Sequence, residues 1–189
     1  RYAVNTDVFE VTMTSANQQE EVECENKRTV SIQITKVDSK DPNKKLSGAK
    51  FGLYTAANND KKIAEATTDA NGVVTFGNLD PNTTYYYKEI TPPTNYVIKE
   101  KGFTAITTGS TGENATVSAT VQNDRKATFK LHKTKEGGAA FGSITFRLIA
   151  VKDSTKDILA DTSNLSGGTT KTTNSSGNAS FTGLNPGNY

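Results

Sequence analysis

Two lysines and two asparagines stand at strand positions where polar side chains need a task. Before Lys36 the apolar residues Val30, Ile32 and Ile34 fall at every second position, and the pattern recurs 97 residues on as Ala127, Phe129 and Leu131 before Lys133. Side chains alternate between the faces of a strand, so each lysine is expected on the inward, apolar face. An asparagine stands ten residues ahead of each: Asn26, after Val22 and Cys24, and Asn123, after Val117, Ala119 and Val121. These share the inward face as well. Burial strips an ammonium of water and favours the neutral amine, which is a nucleophile. The bland reading is that a lysine at a strand end lies along the core with its charge in water, with Glu89 as an ion-pair partner.

The elements that must position these residues are strands almost throughout. Thr, Val, Tyr and Phe are concentrated in short runs punctuated by Gly, Asn, Asp and Pro, the pattern of an antiparallel sandwich. We expect strands at 30–37, 49–55, 63–67, 73–76, 84–90, 96–106 with a break, and 115–122. Their core is expected from Ile32, Ile34, Phe51, Leu53, Val74, Phe76, Leu79, Tyr85, Tyr87, Val117, Ala119 and Val121. The order repeats as Phe141, Ile144, Phe146, Leu148, Gly177, Phe181 and Leu184, while Tyr2, Phe9, Val11 and Met13 match the region of Tyr96, Phe103 and Ala105. A repeat of this length means tandem modules. We therefore read 1–26 as the last strands of one module, 27–124 as a whole module, and 125–189 as the first two thirds of a third. The opening residues read as mid-domain, so the chain is expected to be a piece of a longer protein. Asp124, Arg125 and Lys126 form the expected linker, short enough for a semi-rigid array.

Composition narrows the function classes. With 33% hydrophobic residues, no Trp and one Met, 189 residues support one or two modest cores. The net charge of +2 comes from interspersed charges without a basic stripe, which argues against nucleic acid. Cys24 is the single cysteine, so neither disulfides nor a thiolate metal cluster is expected, and on its strand face it reads as a small core residue. No apolar stretch approaches membrane-spanning length. His132 is expected to face outward beside Lys133, away from any metal-ligand cluster, and no cofactor is implied. Asp69-Ala70-Asn71-Gly72 opens like a calcium loop but lacks the closing glutamate, and its counterpart is Asn174-Ser175-Ser176-Gly177, so a hairpin turn is the better reading. The Asn-x-Ser/Thr triplets at Asn82, Asn114, Asn164, Asn174 and Asn178 are what chance gives in so Asn- and Thr-rich a chain. Alternation buries two of Tyr85, Tyr86 and Tyr87, so they read as core before they read as a carbohydrate platform.

Leu46-Ser47-Gly48-Ala49-Lys50-Phe51, Thr68-Asp69-Ala70-Asn71-Gly72, Leu79-Asp80-Pro81 and Tyr87-Lys88-Glu89-Ile90-Thr91-Pro92 follow in an order that resembles the CnaB (SpaA-type) repeats of Gram-positive surface adhesins and sortase-assembled pilins. The resemblance implies tandem immunoglobulin-like (prealbumin-like) all-β sandwiches, one complete and two partial. It implies too a spontaneous Lys-Asn isopeptide bond between first and last strands beside an acidic residue. The matching residues are Lys36, Asn123 and Glu89, and in the flanking modules Asn26 and Lys133, whose partners lie outside the chain. The chemistry is consistent: a buried lysine is driven toward the reactive amine, and Glu89, facing inward with Tyr85 and Tyr87, is driven toward the protonated acid that can polarise an amide and pass a proton to departing ammonia. Close packing supplies the effective concentration.

The expected role is a load-bearing stalk or pilus shaft on a bacterial cell surface, with neighbouring modules as partners. The competing role is an adhesin module whose loops grip a host protein or glycan, but those loops are short, polar and poor in aromatic anchors. An enzyme with turnover is disfavoured, since one outward histidine supports no Ser/His/Asp or Cys/His arrangement.

Overall fold

The computed structural model describes residues 2, 7–12, 21–24, 26, 28–110, 115–152, 157–158 and 170–189. Among these there is no α-helix, only a three-residue 3-10 turn at Asn59–Lys61. The fourteen strands are β1 (Val30–Asp38), β2 (Lys50–Tyr54), β3 (Lys62–Thr67), β4 (Val73–Leu79), β5 (Thr84–Thr91), β6 (Tyr96–Ile98), β7 (Thr104–Thr107), β8 (Thr116–Arg125), β9 (Ala127–His132), β10 (Thr145–Arg147), β11 (Val151–Lys152), β12 (Asp157–Ile158), β13 (Thr170–Thr172) and β14 (Asn178–Leu184). The chain divides into two compact units: residues 1–36, 45–91 and 101–121, and residues 37–44, 92–100 and 122–189.

Two four-stranded sheets organise the first part of the chain, ordered β4-β1-β8-β6 and β3-β2-β5-β7. β1 runs antiparallel to β4 with Ile32 opposite Phe76 and Ile34 opposite Val74, and β5 runs antiparallel to β2 with Glu89 opposite Phe51. Alternation buries one face of each sheet. The two faces meet in a core of Val30, Ile32, Ile34, Ala49, Phe51, Leu53, Val74, Phe76, Leu79, Tyr85 and Val121, with Tyr87 and Ile106 packed against it. Burying an Ile or Phe side chain of this kind stabilises by about 1.5 to 3 kcal/mol.

Val117 and Ala119, expected in this core, are only half-buried. β6 is three residues long and pairs with Asn123–Arg125, so among the described residues no strand lies on that side of the first half of β8. β8 also runs three residues past its expected end, so in place of the expected three-residue connection it is separated from β9 by Lys126 alone. Its N–H donates to Asn95 O at 2.9 Å.

In the second unit β14 pairs with β9, β10 with β13 and β11 with β12. The core is smaller: Phe181 and Leu184 are buried, and Phe146, Leu148 and Tyr189 pack around them. Phe129 on β9 is 44% exposed, and Phe141 is exposed too. Tyr2, Phe9 and Val11 are likewise exposed, not packed as strand residues of a core, and Met13 lies outside the described residues. Tyr2 instead accepts a hydrogen bond from Arg28 Nε at 2.9 Å, with the guanidinium over its ring.

Local turn chemistry recurs in both units. Asp69 Oδ1 accepts from Asn71 N and Val73 N, and Asn174 Oδ1 accepts from Ser176 N and Asn178 N, so both tetrapeptides are hairpin turns. Each turn ends in a glycine of positive φ, Gly72 (+69°) and Gly177 (+74°). Gly72 O accepts the N–H of Lys36 at 2.7 Å, and Gly177 O that of Lys133 at 2.7 Å. A Cβ on Gly72 would stand 2.8 Å from both Leu46 N and Lys36 O. Gly72→Ala therefore meets a left-handed backbone and a main-chain clash together. It should lower unfolding free energy by about 1 to 3 kcal/mol, read as a fall in the urea midpoint at unchanged m-value.

Candidate functional site

β1 carries Lys36 into the interior as the last member of the series Val30, Ile32, Ile34, each of them buried. Its side chain has no exposure at all. The main chain there cannot retreat, since Lys36 N–H is bonded to Gly72 O and Lys36 O accepts from Leu46 N at 2.9 Å. Across the sandwich Glu89, 3% exposed, follows Tyr85 and Tyr87 on the inner face of β5. Lys36 Nζ lies 3.6 Å from Glu89 Oε2. Neither side chain reaches the surface, so the snorkelling reading of Lys36 is not what the structure shows. Desolvation disfavours the charged form of each group.

Asn123 is fully buried on β8, the strand beside β1 in its sheet. It sits opposite Ile98 of β6, its O accepts Ser39 N–H at 2.9 Å, and its side-chain Oδ1 accepts the N–H of Lys99 at 3.3 Å.

The flanking residues are placed differently. Asn26 is exposed and outside any strand, and so are Val22, 43% exposed, and Cys24. The inward strand face expected for these three is not formed, because the core gathers on residues from Val30 onward and none of it reaches them. Lys133 is half-buried, with Nζ donating to Thr134 O at 2.9 Å and 5.9 Å from the Phe141 ring centroid. The strand beside it is β14, and among the described residues no counterpart of β8 covers its other side. His132 faces outward, its Nδ1 2.8 Å from Asn178 Oδ1. Among the described residues no group of His, Cys, Asp or Glu is arranged to hold a metal ion.

Sequence reasoning missed Asp38. Two residues beyond Lys36 and fully buried, its carboxylate accepts from Tyr96 OH at 2.8 Å, from Lys40 N at 2.8 Å, from Asp41 N at 3.3 Å and from Arg125 Nε. Burial by itself would raise its pKa. The donors, led by Arg125, outweigh that and hold the carboxyl well below the usual carboxylate range. The local pattern Asp38-Ser39-Lys40-Asp41 reads as a polar loop. The partners that make it a core residue lie 58 and 87 positions away.

A model of the SpaA prealbumin-like fold domain matches residues 30–125. Among solved structures the chain is similar to the Bacillus anthracis TIE protein, with 24% identity and a TM-score of 0.50, over 83% of this chain and 27% of that one. It is also similar to a streptococcal ancillary pilin (19% identity, TM-score 0.47, covering 91% and 56%) and to a variant of the shaft pilin SpaA from Lactobacillus rhamnosus GG (16% identity, TM-score 0.45, covering 83% and 83%). The chain thus spans 27% and 56% of the first two. No curated protein matches it.

The Asp38 cluster gives stability a defined pH dependence. A carboxyl whose folded pKa is depressed stabilises fully above its unfolded value of about 3.9, and that contribution disappears as pH falls through the folded value. The urea midpoint of the parent should therefore exceed that of Asp38→Asn by a constant margin from pH 7 to about 5 and converge on it below about pH 4. A margin independent of pH down to 2 would show that Asp38 is not ionised in the fold.

Proposed function

The chain belongs to the SpaA prealbumin-like fold domain family, and on that premise we propose that it is a load-bearing part of a Gram-positive surface or pilus protein. Residues 27–124 form its whole module, between the tail of one module (1–26) and the first two thirds of another (125–189). In the whole module an isopeptide bond joins Lys36 to Asn123, promoted by Glu89. The supporting observation is the fully buried Lys36 amine 3.6 Å from the buried Glu89 carboxyl, with Asn123 fully buried on the strand neighbouring β1.

Lys36 Nζ, as the neutral amine, forms a bond to Cγ of Asn123. The Cγ–Nδ2 bond breaks, and a proton from Nζ reaches Nδ2 by way of Glu89, so that ammonia leaves. The protonated Glu89 polarises the amide in the same step. The reaction happens once per module and yields no turnover. Asn26 and Lys133 are the corresponding residues of the flanking modules, with partners elsewhere in a longer chain.

Tension on tandem modules enters each one through its first and last strands. A covalent tie between β1 and β8 carries that tension past the core without unfolding it. Neighbouring modules are then the partners, the bacterial cell surface the location, and the host-binding role the competing reading. Among the described residues no helix is long and apolar enough to cross a membrane.

Intact mass decides the chemistry. The purified chain should weigh one ammonia less than its sequence, and a tryptic digest should yield Lys36 and Asn123 in one branched peptide. Glu89→Ala should fold and keep its full sequence mass, and closure of that variant at the parent's extent would remove Glu89 from the mechanism.

Stability decides the role. By analogy with a disulfide, closing the loop from Lys36 to Asn123 constrains the unfolded chain by about 4 to 5 kcal/mol. Against the nearly isosteric Glu89→Gln, the parent should melt roughly 20 °C higher or more. Two proteins that differ in crosslinking yet melt and resist trypsin alike would favour the binding module instead.

A further inference from the structure

We infer that the main-chain N–H of Lys99 is a catalytic group of this crosslinking, an oxyanion donor to the side chain of Asn123; the inference rests on the isopeptide reading. Lys99 directly follows β6, whose Ile98 pairs with Asn123, and its N–H donates to Asn123 Oδ1 at 3.3 Å. The reacting residue is fixed on its other side by the bond from Ser39 N–H to Asn123 O. The Lys99 side chain is exposed, so the group that faces the interior is the peptide alone.

Two chemical consequences follow from a main-chain donor at this place. An N–H can only donate, so it selects the amide oxygen and turns Nδ2, the leaving nitrogen, to the other side. Attack by Lys36 Nζ on Cγ then moves an electron pair onto Oδ1, the atom that Lys99 already faces. A fixed dipole in a site closed to bulk solvent stabilises that charge at little cost of reorganisation. At 3.3 Å the ground-state bond is long, and it strengthens as the oxygen becomes anionic, so the donor favours the transition state over the reactant. Lys99 exchanges no atom. The new Nζ–Cγ bond, the broken Cγ–Nδ2 bond and the proton carried through Glu89 balance as before, with ammonia leaving.

Such a donor is removed by replacing Lys99 with its α-hydroxy analogue, which exchanges the main-chain N–H for an ester oxygen and keeps the side chain. The full chain is collected unlinked in urea, folding is started by dilution, and acid-quenched samples are weighed for loss of ammonia. The ester at position 99 should close more slowly than the parent, on the order of ten- to a hundredfold. The same replacement at Glu100 should close at the parent rate. Folding is checked separately in the Glu89→Gln background, where the ester should still unfold cooperatively, lowered from its parent only by the loss of one hydrogen bond. Lys99→Pro, which deletes the same hydrogen by other means, should slow closure likewise. Closure of either folded variant at the parent rate overturns the inference. A parent chain that folds and never loses ammonia overturns the isopeptide reading, and the role of Lys99 with it.

Discussion

The fold is arranged around one amine denied access to water. Lys36 closes an otherwise apolar series on β1, and Gly72 and Leu46 hold its main chain in place, so the side chain has no route to solvent. An unpaired ammonium in such a place would cost several kcal/mol. The molecule answers with Glu89, delivered from the opposite sheet by the β2–β5 register. The positions of β1, β2 and β5 and the glycine of the β3–β4 turn all serve this arrangement. A core of aliphatic residues alone would not require it.

The central part of the site was legible because it obeys a local rule. Alternation along β1 placed Lys36, and alternation along β5 placed Glu89 two residues after Tyr87, with no knowledge of which strands pair. Asp38 was not legible. Its burial depends on Tyr96 and Arg125, which a local window of sequence does not contain. Thr68 was missed for a related reason: its hydroxyl donates to Leu46 O and accepts from Ala49 N, a brace across a loop that looks merely polar. Thr173 repeats the brace with Phe141 O and Ile144 N, so the recurrence of threonine just before Asp69 and Asn174 was a signal available in the repeat.

The two copies separate what is encoded locally from what neighbours supply. Turns, the positive-φ glycines, the threonine braces and the main-chain bonds of Lys36 and Lys133 recur almost bond for bond. Burial does not. Lys36 is sealed, and Lys133 is half-open, although the residues before each follow the same alternation. The inward direction of a side chain is a property of its own strand, whereas dryness is conferred by the strands laid against it. Val22, Cys24 and Asn26 are a different case: they lie outside any strand, so the alternation read from their sequence gives them no face to share.

The passage from β8 to β9 through Lys126 alone bears on how readily this chain can be cut by a protease. Proteases bind their targets as several consecutive residues of unpaired, extended backbone, and exposed loop tips are where they usually find it. Here Arg125, an obvious basic target, lies within a ladder and is tied to Asp38, while the N–H of Lys126 is already engaged by Asn95. Two adjacent basic residues in an open connection between strands would ordinarily mark a cleavage point. In this chain both are bonded to the structure around them, so the connection offers a digestive enzyme little loose backbone to grip.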